Sequence, residues 1–370
     1  MRAELTDLAR ELVSIDSVNP DLVPGGAGED EVSRFVAAWL ERHGLEVERT
    51  EIAPGRWNVV GTARGSGAGR TLLLNGHFDT VGFAGMDAPL EPRVEDGRLY
   101  GRGAYDMKTS VAAMLLTGAR AVELGLRGDV VVTAVADEEV ASIGSQAVAA
   151  TVRADAAIVT EPTEERVAIA HKGFVWLELE THGVAAHGSR ADLGVDAIAK
   201  MGPLLTGIGE LDCSLRAAPS HPLLGSGSLH ASLIKGGAEL STYPDRCLVE
   251  AERRTIPGET PELVEAQLRE IVGGVGDPDM RAEVRVTFVR EPFEVDPAAE
   301  IVELVRRHSA AEVGGAPFWA DAALFSAAGI PTVMFGPIGE GAHADLEWVD
   351  LASAARCAET YVAVAAEFCA

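Results

Sequence analysis

The chain has 370 residues, of which 47% are hydrophobic, and it carries a formal net charge of −26 at pH 7. A chain of this length exceeds one ordinary hydrophobic core, which predicts two domains. The negative charge disfavours binding to nucleic acid or to anionic membrane surfaces, because both require patches of Lys and Arg.

The cysteines are widely and irregularly spaced and form no Cys-x-x-Cys pair; they are Cys213, Cys247, Cys357 and Cys369. This spacing disfavours a disulfide framework or a thiolate zinc site and predicts reduced thiols. The first turns are acidic, unlike a signal peptide, and no uncharged apolar run reaches the roughly 18 residues of a membrane span. The sequence therefore predicts a soluble cytoplasmic protein.

The first predicted elements are helices over residues 2–14 and about 32–43, and strands over residues 45–52 and 57–62. Residues 72–80 then begin with an apolar run, which is typical of a strand inside a parallel sheet, and end in His-x-Asp-Thr. His77 and Asp79 at its end share one face, because residues two apart on a strand point the same way. An imidazole with a neighbouring carboxylate at this place fits a metal ligand held by a hydrogen-bond partner.

Acidic residues follow at the later strand ends. Asp106 lies in the loop that leads into the next helix, Glu138 and Glu139 follow a strand at 130–136, and Glu161 follows a strand at 156–160. Open α/β sheets place their sites at the carboxyl ends of their strands. The alternation of helices and apolar strands predicts an α/β fold with a mostly parallel sheet flanked by helices.

The pattern changes after Lys172. Residues 174–180 alternate between apolar and polar, as an antiparallel strand does. The elements that follow are a helix at 195–208, strands at 228–235 and 246–254, a helix at 261–273 and a strand at 281–290. This order predicts an inserted ferredoxin-like α+β domain over residues 174–290.

The remaining segments, 1–173 and 291–370, then form the two parts of the first domain. Its second part is predicted to contain a helix at 297–312, a strand at 331–335, a loop that carries His343, and a final helix at 351–368.

Two imidazoles and several carboxylates thus stand at predicted strand ends or in adjoining loops: His77, Asp106, Glu138, Glu139, Glu161 and His343. Such a mixture suits divalent cations, above all zinc. It also suits a two-metal site in which one carboxylate bridges cations about 3.5–4 Å apart. Each residue alone is typical of a solvated surface, so the prediction depends on their joint occurrence.

In these segments the chain resembles the M20 metallopeptidase family, which includes acetylornithine deacetylase, succinyl-diaminopimelate desuccinylase and several peptidases. The resemblance is carried by Gly-His-Phe-Asp-Thr-Val at 76–81, Asp-Gly-Arg-Leu-Tyr-Gly-Arg-Gly-Ala-Tyr-Asp-Met-Lys at 96–108, Asp-Glu-Glu at 137–139, Thr-Glu-Pro-Thr at 160–163 and Gly-Ala-His-Ala-Asp-Leu-Glu at 341–347. In order and spacing these motifs are highly specific.

The resemblance implies a dinuclear zinc exopeptidase-like catalytic domain that holds two divalent ions. Zinc is expected, and cobalt or manganese would also be tolerated. Asp106 would bridge the ions. His77 and Glu161 would complete one site, and Glu139 and His343 the other.

Other residues would act on the substrate or on the ligands. Glu138 would be the general base, and Asp79 would orient His77. The inserted domain would serve as lid and dimerisation domain of a homodimer, and its His187 would reach the partner subunit's active site. Arg254 is a candidate for binding a substrate carboxylate. Ser241 stands where many members carry a substrate-contacting Asn, which leaves the substrate open.

The activity that the resemblance implies is hydrolysis of a linear C–N amide bond in an N-acyl amino acid, through a metal-bridging hydroxide, as in acetylornithine deacetylase. A dipeptidase or carboxypeptidase of the same family is the alternative. A binding protein on an inactive scaffold is disfavoured because the expected ligands and base are all present. A dinucleotide-binding oxidoreductase is disfavoured because Gly101-x-Gly103 lacks the third glycine of that fingerprint.

Overall fold

The computed structural model describes residues 1–83 and 85–370 and divides the chain into two compact units. Unit 1 comprises Met1–Ile169, Val295–Gly315 and Ala320–Ala370. Unit 2 comprises Ala170–Glu294 and Ala316–Trp319.

The first part of the chain contains helices and strands in alternation. In order they are α1 (Arg2–Val13), α2 (Asp30–Arg42), β1 (Glu46–Ala53), β2 (Arg56–Ala63), β3 (Leu72–His77), β4 (Arg93–Glu95), β5 (Arg98–Tyr100), α3 (Thr109–Leu124), β6 (Val130–Val135), α4 (Ile143–Thr151), β7 (Ala156–Val159) and β8 (Val167–His171). An irregular helical segment, Ala104–Lys108, precedes α3.

The middle of the chain forms β9 (Gly173–His182), α5 (Ala197–Ala217), β10 (Ser228–Gly236), β11 (Arg246–Thr255), α6 (Pro261–Gly274), β12 (Ala282–Arg290) and β13 (Phe293–Glu294). The last part forms α7 (Glu300–Ser309), β14 (Val313–Ala316), α8 (Ala322–Ala327), β15 (Thr332–Met334), β16 (Gly339–Glu340), β17 (Trp348–Asp350) and α9 (Leu351–Phe368).

The main sheet of unit 1 has the order β1-β2-β6-β3-β7-β15-β8. Its four central strands, from β6 to β15, are parallel, and the pairs toward both edges are antiparallel. All residues of β3, β6 and β7 are buried, as expected for strands covered on both faces. The predicted α/β class is confirmed, and β3 lies at the centre of the sheet.

Amphipathic helices cover this sheet. The buried face of α1 carries Leu5, Leu8 and Leu12, at the spacing that keeps side chains on one side of a helix. Helix α9 begins where the Asp350 carboxylate accepts a hydrogen bond from the Ser353 amide, a typical N-cap. The helices and strands share one continuous hydrophobic core.

Unit 2 contains a four-stranded antiparallel sheet of order β10-β11-β9-β12. With α5 between β9 and β10, and α6 between β11 and β12, this is the order of a ferredoxin-like split motif. Its own core includes Leu177, Leu179, Val249 and Leu268. Strand β13 pairs with Ala170 and His171 at the end of β8.

Two predicted helices end at other residues in the structure. The helix predicted at 195–208 continues to Ala217, because the half-buried Leu211 and Leu215 extend its apolar stripe. The helix predicted at 297–312 ends at Ser309, because Ala310 adopts a left-handed backbone with φ of 56°. Strands β4, β5, β8, β13, β14, β16 and β17 and helix α8 were not predicted.

No helix in the described ranges is long and apolar enough to cross a membrane.

Candidate metal centre

His77 is the last residue of β3, and its side chain is 1% exposed. Nδ1 lies 2.9 Å from the backbone carbonyl of Asp79. A carbonyl only accepts, so Nδ1 carries the proton and donates it. The other nitrogen, Nε2, then lies 3.1 Å from Asp106 Oδ1.

Asp106 is placed by the irregular segment that follows Gly103, whose backbone has a φ of 77°. Its two carboxylate oxygens face two different histidines. Oδ1 lies 3.1 Å from Nε2 of His77, and Oδ2 lies 3.5 Å from Nε2 of His343. Asp106 thus stands between the end of β3 and the loop that carries His343.

Two glutamates complete the arrangement. Glu161 follows β7, and its Oε1 lies 3.7 Å from Nε2 of His77. Glu139 follows β6, and its Oε2 lies 3.0 Å from Nε2 of His343. His343 has a 56% exposed side chain, whereas the two glutamates are almost fully buried. The site is therefore open to solvent mainly on the side of His343.

Within the described ranges, two groups of side chains could each hold a cation. The first cluster is His77, Asp106 and Glu161, and the second cluster is Asp106, Glu139 and His343. In each cluster the potential ligand atoms lie within 4.8 Å of one another. Imidazole nitrogen and carboxylate oxygen are ligands that suit divalent cations such as zinc. The residues therefore fit two divalent cations that share Asp106.

The electrostatics of the site point the same way. Burial raises the pKa of Glu138, Glu139 and Glu161, and neighbouring carboxylates add to the effect. Burial acts against the ionised forms of His77 and Asp106 as well, but hydrogen bonds with Asp106 and Asp79 raise the pKa of His77. Hydrogen bonds with His343 and His77 lower the pKa of Asp106. So many buried acidic groups are stabilised when cations lie among them.

Glu138 lies beside the first cluster without belonging to either one. Its Oε2 is 3.9 Å from Nε2 of His77, whereas the side chain of the adjacent Glu139 reaches His343. The two neighbouring glutamates thus point to different histidines. Glu138 remains available for proton transfer.

Asp79 has a broader set of contacts than the sequence predicts. Its carboxylate lies 3.6 Å from Nδ1 of His77, farther than its own carbonyl oxygen. The carboxylate oxygens accept hydrogen bonds from the backbone amides of Glu138 (3.1 Å) and Glu139 (3.3 Å). Asp79 therefore holds the Glu138–Glu139 backbone against the end of β3, in addition to its contact with His77.

Three residues near the site were not singled out from the sequence. Asn19 donates from Nδ2 to Asp79 Oδ2 (2.8 Å) and to Asp137 Oδ1 (3.1 Å). Asp321 is buried, and its Oδ2 accepts from the Ser145 hydroxyl at 2.6 Å. Glu347 is buried beside the Asp106 segment. All three lie in loops or at the end of an element, where hydrophobic periodicity gives no signal. Only Glu347 could have been identified from the sequence, because it lies inside a family motif.

The three predicted substrate-contacting residues lie in unit 2. His187 is in an exposed loop, where its Nδ1 accepts from the Ser189 amide at 3.2 Å. The Gly188 amide donates to the carbonyl of the exposed Ser241 at 2.7 Å, so these two loops lie side by side. Arg254 is on β11 and donates from Nε to Glu252 at 2.7 Å. The structure thus brings the His187 and Ser241 segments together.

Comparison with known proteins gives a consistent picture. Residues 73–367 match the description of peptidase family M20/M25/M40. The acetylornithine deacetylase of Myxococcus xanthus is 31% identical over 100% of this chain and 97% of its own length. The N-formyl-4-amino-5-aminomethyl-2-methylpyrimidine deformylase of Bacillus subtilis is 26% identical over 91% of this chain and 87% of its own length.

Solved structures share the fold at lower identity. Aminopeptidase PepT from Bacillus cereus superimposes with a TM-score of 0.81 at 20% identity, over 100% of this chain and 99% of that one. The YXEP protein of Bacillus subtilis, described as a dinuclear metal binding peptidase, has a TM-score of 0.74 at 16% identity and covers 100% and 98% of the two chains.

Proposed function

The chain belongs to peptidase family M20/M25/M40 and is a metal-dependent amide hydrolase, and on that premise we propose that it cleaves the amide bond of an N-acyl amino acid at a pair of divalent ions. The observation that carries the proposal is the position of Asp106, whose two oxygens face His77 and His343 separately. A carboxylate so placed fits the bridging ligand of a two-metal site.

In this proposal His77 and Glu161 hold one ion, Glu139 and His343 hold the other, and Asp106 bridges them. Zinc is the expected metal, and cobalt or manganese fits the same donors. When bound, the ions would polarise the scissile carbonyl and activate the attacking water.

The protein's own contribution to proton transfer would come from Glu138. Its side chain lies beside the first cluster, and burial raises its pKa, with the charge of Glu161 adding to the effect. A carboxylate whose pKa is raised is suited to take a proton from water and return it to the departing amine. Asp79 would hold the backbone of Glu138 and Glu139 in place by accepting hydrogen bonds from their amides.

Unit 2 would supply the remaining groups. We infer that it is a lid and dimerisation domain, corresponding to the predicted domain at 174–290, and that the partner subunit's His187 contacts the developing oxyanion. Arg254 and Ser241 would bind the rest of the substrate. Strand β10 offers an edge for pairing, with the half-exposed Leu233 and Ile234 along it. The four free thiols fit the reducing cytoplasm.

The substrate is proposed to resemble N-acetylornithine. Support comes from the full-length similarity to an acetylornithine deacetylase, which exceeds that to the deformylase. The alternative, a dipeptidase or carboxypeptidase, would use the same metal chemistry and differ only in the pocket that holds the substrate.

A substrate panel tests the proposal. Metal-loaded protein is assayed with N-acetylornithine, other N-acetyl amino acids, N-succinyl-diaminopimelate, dipeptides and the N-formyl pyrimidine, with chelator-treated protein as the control. We expect metal-dependent release of acetate from one or more N-acetyl amino acids. Turnover of dipeptides alone, or of the formyl pyrimidine alone, would overturn the assignment to N-acyl amino acids.

A further inference from the structure

A small sheet brings together the two segments that carry Asp106 and His343. Strand β5 pairs antiparallel with β17, so that Tyr100 lies opposite Trp348. The chain leaves β5 toward Asp106 and enters β17 from the loop of His343. Two ligand-bearing loops therefore begin and end at one short β-ladder, and whatever fixes them near this ladder also fixes the ligands.

Glu347, the residue just before β17, is 2% exposed and holds the Asp106 segment through its carboxylate. Oε1 accepts from the amides of Tyr105 (2.8 Å) and Asp106 (3.0 Å). Oε2 accepts from the amide of Gly103 (3.0 Å) and from Nη1 of Arg102 (2.8 Å). Four donors thus saturate an ionised carboxylate, which only accepts hydrogen bonds.

Arg102 extends the contact to the loop of His343. It is 1% exposed, and besides Glu347 it donates from Nη2 to the carbonyl of Ala344 at 2.9 Å. A third donor, Nε, reaches the carbonyl of Gly82 at 3.1 Å. The planar guanidinium reaches these three acceptors from three different nitrogens, whereas a lysine carries all its donors on a single nitrogen.

The backbone of His343 also requires support. Its φ is 64°, in the left-handed region that non-glycine residues rarely adopt. Such a conformation persists only where surrounding contacts impose it. The hydrogen bond from Arg102 to the next residue, Ala344, is one such contact.

The two clusters depend on this ion pair to different degrees. In the second cluster, both Asp106 and His343 lie on segments that Arg102 and Glu347 hold. In the first cluster only Asp106 does, because His77 ends β3 and Glu161 follows β7. Loosening the ion pair should therefore disturb the second cluster more than the first.

We propose that Arg102 and Glu347 are positioning residues that set the affinity of the second cluster for its cation by fixing the backbones of Asp106 and His343. The inference rests on the proposed pair of divalent ions and predicts that the two sites respond differently when the ion pair between Arg102 and Glu347 is loosened. Neither residue contacts the substrate or an ion in this arrangement.

The test is a titration of metal-free protein with Zn²⁺ in competition with a chromophoric chelator. Glu347→Gln places an amide NH₂ against backbone or guanidinium donors, so two of the four hydrogen bonds are lost. We expect one of the two Zn²⁺ binding steps, which we assign to the second cluster, to be about 10- to 100-fold weaker than in the wild type, the range for groups that orient metal ligands. The other binding step, assigned to the first cluster, should keep an affinity close to that of the wild type.

Matched variants keep the proposal falsifiable. Glu347→Asp retains the charge beside Arg102 but is one methylene shorter. This variant should fold and should still lower the affinity of the second cluster for Zn²⁺. Arg102→Lys should do the same, because it loses the contact with Ala344. Asp30→Asn is the control. It breaks an ion pair with Arg49 that lies in the same unit but touches neither cluster, so both Zn²⁺ affinities should stay unchanged.

Unchanged affinities in both Zn²⁺ binding steps of Glu347→Asp and Arg102→Lys would overturn the positioning role. An equal loss at both sites would also overturn it, because that result indicates a general structural defect. Binding of fewer than two Zn²⁺ by the wild type would instead overturn the proposed dinuclear site, and this inference with it.

Discussion

Glu138 and Glu139 are adjacent in the chain, yet their side chains approach different histidines. Glu139 lies 3.0 Å from His343, whereas Glu138 lies 3.9 Å from His77 and outside both clusters. Neighbouring side chains after a strand diverge, so one glutamate can bind a metal while the other transfers a proton. This division of roles can be tested one residue at a time.

Replacing Glu138 by Gln should abolish most turnover while metal stays bound. The amide has the same shape but cannot accept the proton of water, so we expect kcat to fall by about 10²- to 10⁴-fold. Metal content is measured by elemental analysis and turnover by acetate release. Glu139→Gln is the matched control and should instead lose the ion of the second cluster. Wild-type kcat in Glu138→Gln would exclude Glu138 as the general base.

Metal binding should depend on pH through His343. Hydrogen bonds with Asp106 and Glu139 raise the pKa of its imidazole to about 10. Below that pH the ring is protonated and must release a proton before it binds a cation, so affinity should rise with pH up to about 10. Calorimetry in buffers of different ionisation enthalpy measures the proton release.

The control for this measurement is His308→Ala. The imidazole of His308, on α7, pairs with Glu367 on α9 and should not contribute to the release of protons on metal binding. Metal affinity that stays constant with pH, without release of protons, would contradict the assignment of His343.

At the scale of single residues, the motifs after predicted strands were sufficient to identify the side chains that gather at the site. They could not identify Asn19, whose side chain donates hydrogen bonds to the carboxylates of Asp79 and Asp137, 60 and 118 positions away. The family motif includes Glu347 but does not show which groups its carboxylate binds, because Glu347 and its partner Gly103 are 244 positions apart. Hydrogen bonds between loops of this separation leave no periodic pattern.

At the scale of elements, the ends of β3 and β6 are joined by one carboxylate. Asp79, two residues beyond β3, accepts hydrogen bonds from the Glu138 and Glu139 amides that follow β6. The contact fixes how two neighbouring parallel strands present their ligands. It explains why a side chain that binds no cation in the proposed arrangement is placed inside the site.

Asp79→Asn should therefore impair both metal binding and turnover. An amide nitrogen cannot accept from a backbone N–H, so the Glu138–Glu139 segment should loosen, and we expect a loss of about 10- to 100-fold in kcat/KM. Asp129→Asn is a matched control, because its carboxylate also accepts a backbone amide, that of Gly65, but before the start of β6. Equal losses in the two variants would contradict a specific role for Asp79.

The elements predicted best are those with a strong hydrophobic pattern. The continuous apolar runs of β3, β6 and β7 and the apolar stripes of α1 and α9 were predicted within a few residues of their observed ends. The five residues of β8, the six of α8 and the three of β5 were missed. Such segments are too short for periodicity to separate them from loops, and tertiary contacts decide their structure.

At the scale of the whole molecule, the proposed function assigns His187 of one subunit to the active site of its partner. Unit 1 contains both metal clusters, and unit 2 contains His187. If the partner subunit's His187 completes each active site, a single subunit is incomplete. A site shared between subunits can be distinguished by experiment from a site that lies within one subunit.

Two inactive variants should restore each other's activity when they form a mixed dimer. His187→Ala retains Glu138, and Glu138→Ala retains His187, so one of the two sites in a mixed dimer is intact. After co-refolding or co-expression at equal amounts, activity should recover to about a quarter of the wild type, because half of the dimers are mixed. Activity no higher than that of the separate variants would show that His187 does not act across the interface.

The central claim is that Asp106 bridges two cations, and anomalous diffraction from zinc-loaded crystals, measured at the zinc absorption edge, tests it most directly. Two anomalous peaks about 3.5–4 Å apart are predicted on either side of the Asp106 carboxylate, one beside His77 and Glu161 and the other beside Glu139 and His343. A single peak, or peaks that do not flank Asp106, would contradict the claim.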